Sequence, residues 1–318
     1  MNLVEEAIET LKANGRGDFT VPSADLYPYQ WLWDAGFIAL GWGQVSEGRA
    51  WQELFSAFKG QWPDGFLPHI VFHRPDPNYF PGPDVWQTHT VPPTSGITQP
   101  PVLATATLIL YRQARDRELA RNAAEELFPK LMAYHRWLYR ARDPEGTGLV
   151  SILHPWESGM DNSAAWDEPL GRVLPAELPA RRKDTSHVHS SERPSDDEYR
   201  RYLSLVVRFR DLRYDPSRLY FESPFRVVDV GFNALLHQAN QDLRALAIEL
   251  GKPTEELDGW IRQGTQAFGR LWDDGEGLYF SLDAIAGSPI RVPTSAAFLP
   301  LYAGTPDTTA AQHLAFHL

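Results

Sequence analysis

The sequence predicts an all-α fold in which pairs of helices are arranged as an (α/α) barrel. Apolar residues recur with the period of a helix along most of the chain, and the connections between these stretches are rich in Gly and Pro. Similar short turns also recur after helical stretches, as expected of a repeated helix pair with turns on one rim. These turns are DGFLP at 64–68, GTGLV at 146–150, DPSRLYF at 215–221 and DGEGLYF at 274–280.

The first half of the chain is predicted as a series of helices interrupted by one long loop. Leu3, Val4, Ala7, Ile8 and Leu11 form an apolar stripe, and residues 29–43 and 46–59 are also helical in pattern. Residues 61–100 are dominated by Pro, Gly, His and aromatic residues, and a long loop of this kind inside a domain is usually functional. Pro101 then begins a helix to about Arg112, and a longer helix follows to about Arg142.

Helix-terminus signals define the second half of the chain. Ser195 and Glu198 form a capping box for a helix over 196–212, and a helix over 228–250 ends at Gly251. We predict that the charged stretch 178–194 is a solvated loop or lid. Thr305 is predicted to cap a last helix that runs to Leu318 without a stop signal, so we expect the barrel to be incomplete at its C-terminus.

Composition excludes several classes of function. The 318 residues contain no Cys and carry a formal charge of −11, so thiolate chemistry is excluded and binding to nucleic acid or an anionic membrane is disfavoured. We detect neither a secretory signal in residues 1–15 nor an apolar run long enough for a bilayer. Six of the 11 Trp lie between Trp31 and Trp86, a local density that suits either a core or a sugar-binding cleft.

The segment LYPYQWLWDAGFIALGWGQ, residues 26–44, places a carboxylate among aromatic residues. Asp34 has Trp31, Trp33 and Phe37 as near neighbours in the sequence. One interpretation is a core helix whose Asp pairs with an Arg or caps a neighbour, because buried acids are usually paired. The other is a carboxylate that accepts sugar hydroxyls while indole faces pack on the sugar ring. The residues alone leave both open.

Histidines near this segment do not form a metal-binding motif. His69 and His73 are four residues apart, but Pro68 precedes them and no Glu completes an HExxH pattern. His187 and His189 also have no third ligand nearby, so we predict no metal site. Gln99, just before a predicted helix, is interpreted as an amide that binds hydroxyl groups rather than as part of a phosphate loop.

The segment HPWESGMDNSAAWD, residues 154–167, is the richest in chemistry. Glycosidic bond cleavage needs a protonated carboxyl group on one side of the bond and a second carboxylate on the other. Glu157 and Asp161 are four residues apart, too close along the chain to straddle a sugar ring. A helix N-cap cluster over residues 161–163 is the competing interpretation.

Four blocks in order resemble the mannosylglycerate/glucosylglycerate hydrolase branch of glycoside hydrolase family 63. They are LYPYQWLWDAGF, QWPDGFLPHI, TSGITQPP and HPWESGMDNS, and ESGMDNSAAW is also similar to the signature of trehalases. The resemblance implies an (α/α)6 barrel, a cytoplasmic inverting hydrolase without a cofactor, and a small glycoside as its substrate. It makes Asp161 the general acid, with Glu157 supporting its loop.

The same resemblance implies a set of substrate-binding residues. Those of the glycone pocket are Tyr27, Trp31, Asp34, Gln99 and Trp156. Those near the aglycone are His69, Tyr79 and Gly159, and those that hold the glycerate carboxylate are Arg193 and Tyr199. A guanidinium is a natural partner for a small carboxylate because it binds both oxygens.

The sequence departs from the family in one respect. The general base of these hydrolases is a Glu beyond a WRGPVW-type block, and neither occurs within residues 1–318. We therefore expect about ten of twelve barrel helices and no turnover by these residues alone. Two alternatives stay open: a trehalase- or α-glucosidase-like hydrolase, and a carbohydrate-binding pseudoenzyme without the base.

Overall fold

The computed structural model describes residues 2–76, 79–177 and 194–318, and most of these are helical. The predicted loop or lid at 178–194 therefore lies outside the described residues except for Pro194. Chain contacts divide the molecule into two compact units, Met1–Arg136 with Asp242–Thr254, and Trp137–Gln241 with Glu255–Leu318. No helix in the described ranges has the length and apolar character needed to cross a membrane.

The helices follow one another in the order expected from the sequence. They are α1 Leu3–Asn14, α2 Leu32–Gly43, α3 Glu47–Phe58, α4 Pro83–Trp86, α5 Leu103–Gln113, α6 Arg117–Arg142, α7 Asp167–Leu170, α8 Asp196–Asp211, α9 Pro216–Glu222, α10 Val230–Leu250, α11 Glu255–Phe268, α12 Leu299–Ala303 and α13 Thr308–His317. The long helices fall within a few residues of their predicted ranges. The capping box of Ser195 and Glu198 is confirmed, and Gly251 adopts the left-handed conformation (φ 67°) predicted for a helix end.

The strands are pairs of residues in small antiparallel sheets. They are β1 Gln30–Trp31, β2 Ile70–Val71, β3 Val227–Val228, β4 Trp272–Asp273, β5 Leu278–Tyr279, β6 Leu282–Asp283 and β7 Ser288–Pro289. β1 pairs with β2, β4 with β5, and β6 lies between β3 and β7. The β1–β2 register sets Trp31 opposite Ile70, so the long loop returns to the start of α2.

In the first unit, α2 packs against α3 and α5. This packing requires small residues on α2, since a Cβ atom at Gly43 would lie 2.6 Å from a methyl group of Leu110. Ala35 and Ala39 on the same helix are fully buried. The other face of α2 is left for Asp34 and its aromatic neighbours.

In the second unit, α10 and α11 pack with the β4–β5 hairpin around buried residues such as Phe268, Leu271 and Tyr279. The GTGLV turn before this core needs glycine for two reasons. Gly148 has φ 85°, and a Cβ atom there would lie 2.8 Å from the carbonyl oxygen of Gln263.

Two details of the sequence prediction are wrong. Residues 216–221 are not in a turn but in α9, because Pro216 occupies the first helical position and Asp215 caps the helix by accepting the Arg218 N–H. The cap of the last helix is not Thr305 but Asp307, which accepts the Ala310 N–H at 2.8 Å. In both places an Asp side chain captures a free N–H at the helix start.

Candidate active site

An aromatic cluster forms in the first unit around Trp31. The rings of Tyr27 and Tyr79 meet the Trp31 indole edge-on, with centroids 5.1 and 5.8 Å away. Tyr29 lies behind them, with its ring centroid 5.1 Å from that of Tyr79. The structure thus brings together three of the predicted binding residues, which are 52 positions apart at the extremes (27 to 79). Such ring edges and faces suit contact with the C–H groups of a sugar.

The loop that carries His69 and Gln99 is tied to the first turn of α2. The Leu32 N–H donates to the His69 carbonyl at 2.9 Å, and the Trp33 N–H donates to the Gln99 side-chain carbonyl at 3.3 Å. His69 also contacts Ser95, with 2.5 Å between Nδ1 and Oγ. Because the bonds to Leu32 and Trp33 end at the start of α2, they bring His69 and Gln99 to the segment that holds Trp31 and Asp34.

Neither histidine of the 69–73 pair is arranged as a metal ligand. The Nε2 atom of His73 lies 2.8 Å from the Gln30 side-chain carbonyl, and its ring stacks on Phe19. Across the described ranges, no group of three or more His, Cys, Asp or Glu side chains is suitable for a metal ion.

Asp34 is a carboxylate in an apolar environment. It lies in the first turn of α2, and burial raises the pKa of its carboxyl group to about 6, against hydrogen bonds from its own backbone and from Trp33 that lower it. No Lys or Arg in the described part of the chain forms an ion pair with it. The interpretation of Asp34 as the acid of a core ion pair is therefore wrong.

Asp34→Asn is expected to stabilise the protein at pH 8 by about 1–2 kcal/mol, because it removes a charge from a largely buried position. The gain is no larger because the side chain keeps some contact with solvent, which screens the charge. A carboxyl group whose folded pKa is raised destabilises the fold above that pKa and has no such effect below its unfolded pKa. The gain should thus disappear between pH 6 and pH 4. Urea unfolding at pH 8 and at pH 4 measures this difference in the free energy of unfolding.

Glu6→Gln is the matched control for this prediction. Glu6 is an exposed acid in the first turn of α1, so its substitution should change the unfolding free energy little at either pH. A gain for Asp34→Asn that is equal at pH 4 and pH 8 would contradict the assignment of the effect to the buried charge.

The second unit contains the HPWESGMD segment, folded as a 3-10 helix over Pro155–Ser158. His154 caps this helix, since its Nδ1 accepts the Trp156 N–H at 3.0 Å. Gly159 ends it in the left-handed conformation with φ 72°, so the chain can reverse before Asp161. Gly159, predicted to lie near the aglycone, therefore ends the 3-10 helix two residues before the predicted general acid.

Glu157 holds this loop from within. Its Oε1 forms an ion pair with Arg142 at 2.6 Å, and its Oε2 accepts the Leu153 N–H at 2.7 Å. The Glu157 side chain is 1% exposed and the Arg142 side chain 3% exposed. These two charge-assisted contacts attach both oxygens of Glu157 to its surroundings.

Asp161 itself is half-buried. The carbonyl groups on either side of its Cα atom each accept a side-chain hydrogen bond: Trp166 Nε1 donates to the Met160 oxygen and Tyr202 Oη to the Asp161 oxygen, both at 2.8 Å. The N-cap of the following 3-10 helix Ala164–Trp166 is Ser163, which accepts the Ala165 N–H. The competing interpretation of a cap cluster thus applies to Ser163.

α8 supplies the aromatic surface beside this loop. The Trp156 ring lies against both Tyr199 and Tyr202, with centroid distances of 6.0 and 5.7 Å. Sequence reasoning missed Tyr202, although its spacing of three residues from Tyr199 puts both on one helix face. Arg193, the predicted partner of the glycerate carboxylate, lies outside the described residues.

The first unit thus contains an aromatic cluster and a carboxyl group in the first turn of α2, and the second contains a carboxyl group in a hydrogen-bonded loop with aromatic rings beside it. Carboxyl groups are the side chains that most glycoside hydrolases use to cleave the glycosidic bond. Residues 27–318 match the "Mannosylglycerate hydrolase MGH1-like glycoside hydrolase domain". The chain belongs to this family of glycoside hydrolases, which confirms the resemblance described above.

Similar proteins include a mannosylglycerate hydrolase from Thermus thermophilus, 59% identical over 314 residues, which cover 98% of this chain and 76% of the relative. The crystal structure of a Thermus thermophilus family 63 mannosylglycerate hydrolase in complex with Tris and D-glycerate is similar at TM-score 0.96, with 58% identity, 99% of this chain and 76% of that chain covered. A complex of such an enzyme with glucose has TM-score 0.90, 57% identity and the same coverage. The all-α toroid class predicted from the sequence is confirmed by these likenesses.

Proposed function

We propose that this protein hydrolyses an α-glycoside of glycerate, such as glucosylglycerate or mannosylglycerate, with inversion at the anomeric carbon. The observation that carries the proposal is the carboxyl group of Asp161 in a loop braced on both sides, within a chain of this family. The relatives' complexes with D-glycerate and with glucose support the two halves of this substrate. The proposal includes a cytoplasmic location, as the family resemblance implies.

The roles follow the resemblance. Asp161 is the general acid, and the glycone is bound by Tyr27, Trp31, Asp34, Gln99 and Trp156. His69, Tyr79 and Gly159 contact the aglycone, and Arg193 with Tyr199 binds its carboxylate. For the general base, no Glu within residues 1–318 occurs in a block like that of the family, so this role is assigned to none of these residues.

The reaction is a single displacement. A water molecule attacks the anomeric carbon while the bond from that carbon to the glycerate oxygen breaks. Asp161 gives its proton to the departing oxygen, and the base takes one proton from the water, so the products are the free sugar and glycerate. Asp34, ionised above pH 6, accepts hydrogen bonds from sugar hydroxyls and thereby orients the ring.

Arg193→Ala tests the substrate class. In the complete gene product, we expect KM for glucosylglycerate and mannosylglycerate to rise about 10- to 100-fold, since a charge-assisted hydrogen-bond pair to the glycerate carboxylate is lost. KM for trehalose, a neutral disaccharide, should hardly change. Steady-state kinetics with the three glycosides measures this difference.

Arg200→Ala serves as the control, because Arg200 is exposed on α8 and its substitution removes the same charge seven positions further along the sequence. The trehalase-like alternative is correct if trehalose is the better substrate of the unmodified protein. It is also favoured if KM for trehalose rises in Arg193→Ala as much as KM for the glycerate glycosides. Binding of glucosylglycerate without release of glycerate by the complete gene product would support the carbohydrate-binding alternative.

A further inference from the structure

Tyr202 connects α8 to the acid loop at two points. Its hydroxyl donates to the Asp161 carbonyl at 2.8 Å, and its own backbone carbonyl accepts a hydrogen bond from His154 Nε2 at 3.1 Å. His154 in turn caps the 3-10 helix through Nδ1. Both ends of the segment 154–161 are therefore attached to one residue of α8, which is 3% exposed.

The protonation of His154 suits this arrangement. Nδ1 accepts the Trp156 N–H, so Nε2 carries the proton that is donated to Tyr202. Burial lowers the pKa of His154 to about 3, against the hydrogen bond to Tyr202 that raises it. The ring thus stays neutral, and this link does not change over the range in which glycosidases work.

The direction of the Asp161 side chain depends on the two peptide planes that flank its Cα atom. Peptide groups are planar, so fixing the orientation of the two planes fixes the Cα–Cβ direction. Trp166 fixes the plane that contains the Met160 carbonyl, and Tyr202 fixes the plane that contains the Asp161 carbonyl. The Met160 N–H is held as well, by Ser158 Oγ at 2.9 Å.

We propose that Tyr202 is a positioning residue for the reaction, whose hydroxyl aims the Asp161 carboxyl group at the glycosidic oxygen through the Asp161 carbonyl. The inference rests on the proposed role of Asp161 as general acid. Proton donation is sensitive to such aim, because a displacement of about 1 Å in a reacting group can cost about 100-fold in rate. Tyr202 itself takes no proton and touches no reacting atom in this proposal.

The test is Tyr202→Phe in the complete gene product, which removes one hydroxyl and keeps the ring contacts with Trp156. We expect kcat on the glycosylglycerate to fall about 10- to 100-fold, with KM within about twofold. An α-glycosyl fluoride with the same sugar needs far less proton transfer to its leaving group. Its kcat should therefore fall less than about threefold.

Tyr220→Phe is the matched control. Tyr220 is also buried, and its hydroxyl donates to the Glu145 carboxylate at 2.9 Å. Losing this hydroxyl should therefore lower the stability of the fold by a similar amount without removing a hydrogen bond to residues 154–161. The kcat values of Tyr220→Phe on the glycosylglycerate and on the fluoride should be those of the unmodified protein. Trp166→Phe provides a second variant, since it releases the neighbouring plane and should show the same contrast between substrates.

The outcomes separate the two levels of the proposal. Suppose that Asp161→Asn is inactive on the glycosylglycerate. The positioning role of Tyr202 is then overturned if kcat of Tyr202→Phe is unchanged, or if it falls equally on the glycosylglycerate and the fluoride. If Asp161→Asn retains its activity, the proposed function fails, and the positioning inference fails with it. The selective loss on the glycosylglycerate supports both.

Discussion

Replacing Asp161 by Asn is expected to lower kcat of the complete gene product on its glycosylglycerate by about 100- to 10,000-fold. The amide keeps the size of the side chain and the backbone hydrogen bonds from Trp166 and Tyr202, but it cannot protonate the leaving oxygen. KM should change little, because the sugar contacts are unaltered. Initial rates of glycerate release under saturating substrate measure the loss.

Asp167→Asn is the control for this prediction. Asp167 is an exposed carboxylate six residues further along, in the first turn of α7, so its kcat should be unchanged. The loss in Asp161→Asn should shrink when the substrate is an α-glycosyl fluoride. Retention of more than a tenth of the activity on the glycosylglycerate would mean that another group donates the proton.

Much of the fold was predictable because its signals are local. The capping box at Ser195, the glycine at position 251 and the apolar stripes depend on residues a few positions apart, and each specifies the same helix that the structure contains. The errors at residues 215–221 and Thr305 are also local. At residues 215–221, Asp215 and Pro216 begin a helix where a turn was predicted, and at the last helix Asp307 occupies the cap position predicted for Thr305.

The site was predictable only where a resemblance supplied it. The residues left Asp34 open between a core side chain that pairs with an Arg or caps a neighbour and a sugar contact, because a one-dimensional pattern does not show which groups lie near it. The β1–β2 pairing that brings the His69 loop to Trp31 joins positions about 40 apart, and the Tyr202–Asp161 contact joins positions 41 apart. Such long-range contacts have no local signal.

The loop of the general acid also depends on a buried charge pair. Glu157→Ala should destabilise the protein by about 3–5 kcal/mol, because it leaves the Arg142 guanidinium buried without its carboxylate and removes the acceptor of the Leu153 N–H. Equilibrium unfolding in urea, followed by tryptophan fluorescence, measures this loss. Glu249→Gln, which breaks the largely exposed pair with Arg112, should cost far less.

The double variant Arg142→Met, Glu157→Leu separates the stability of the fold from the shape of the loop. Apolar side chains of similar size remove both charges together, so most of the lost stability should return. The Leu153 N–H still has no carboxylate to receive it, so the bond that attaches the start of the loop is still missing. We therefore expect kcat to be low in Glu157→Ala and in the double variant, although stability recovers in the latter. Recovery of both would show that Glu157 serves only to neutralise Arg142, and that the braces from Trp166 and Tyr202 suffice to aim the acid.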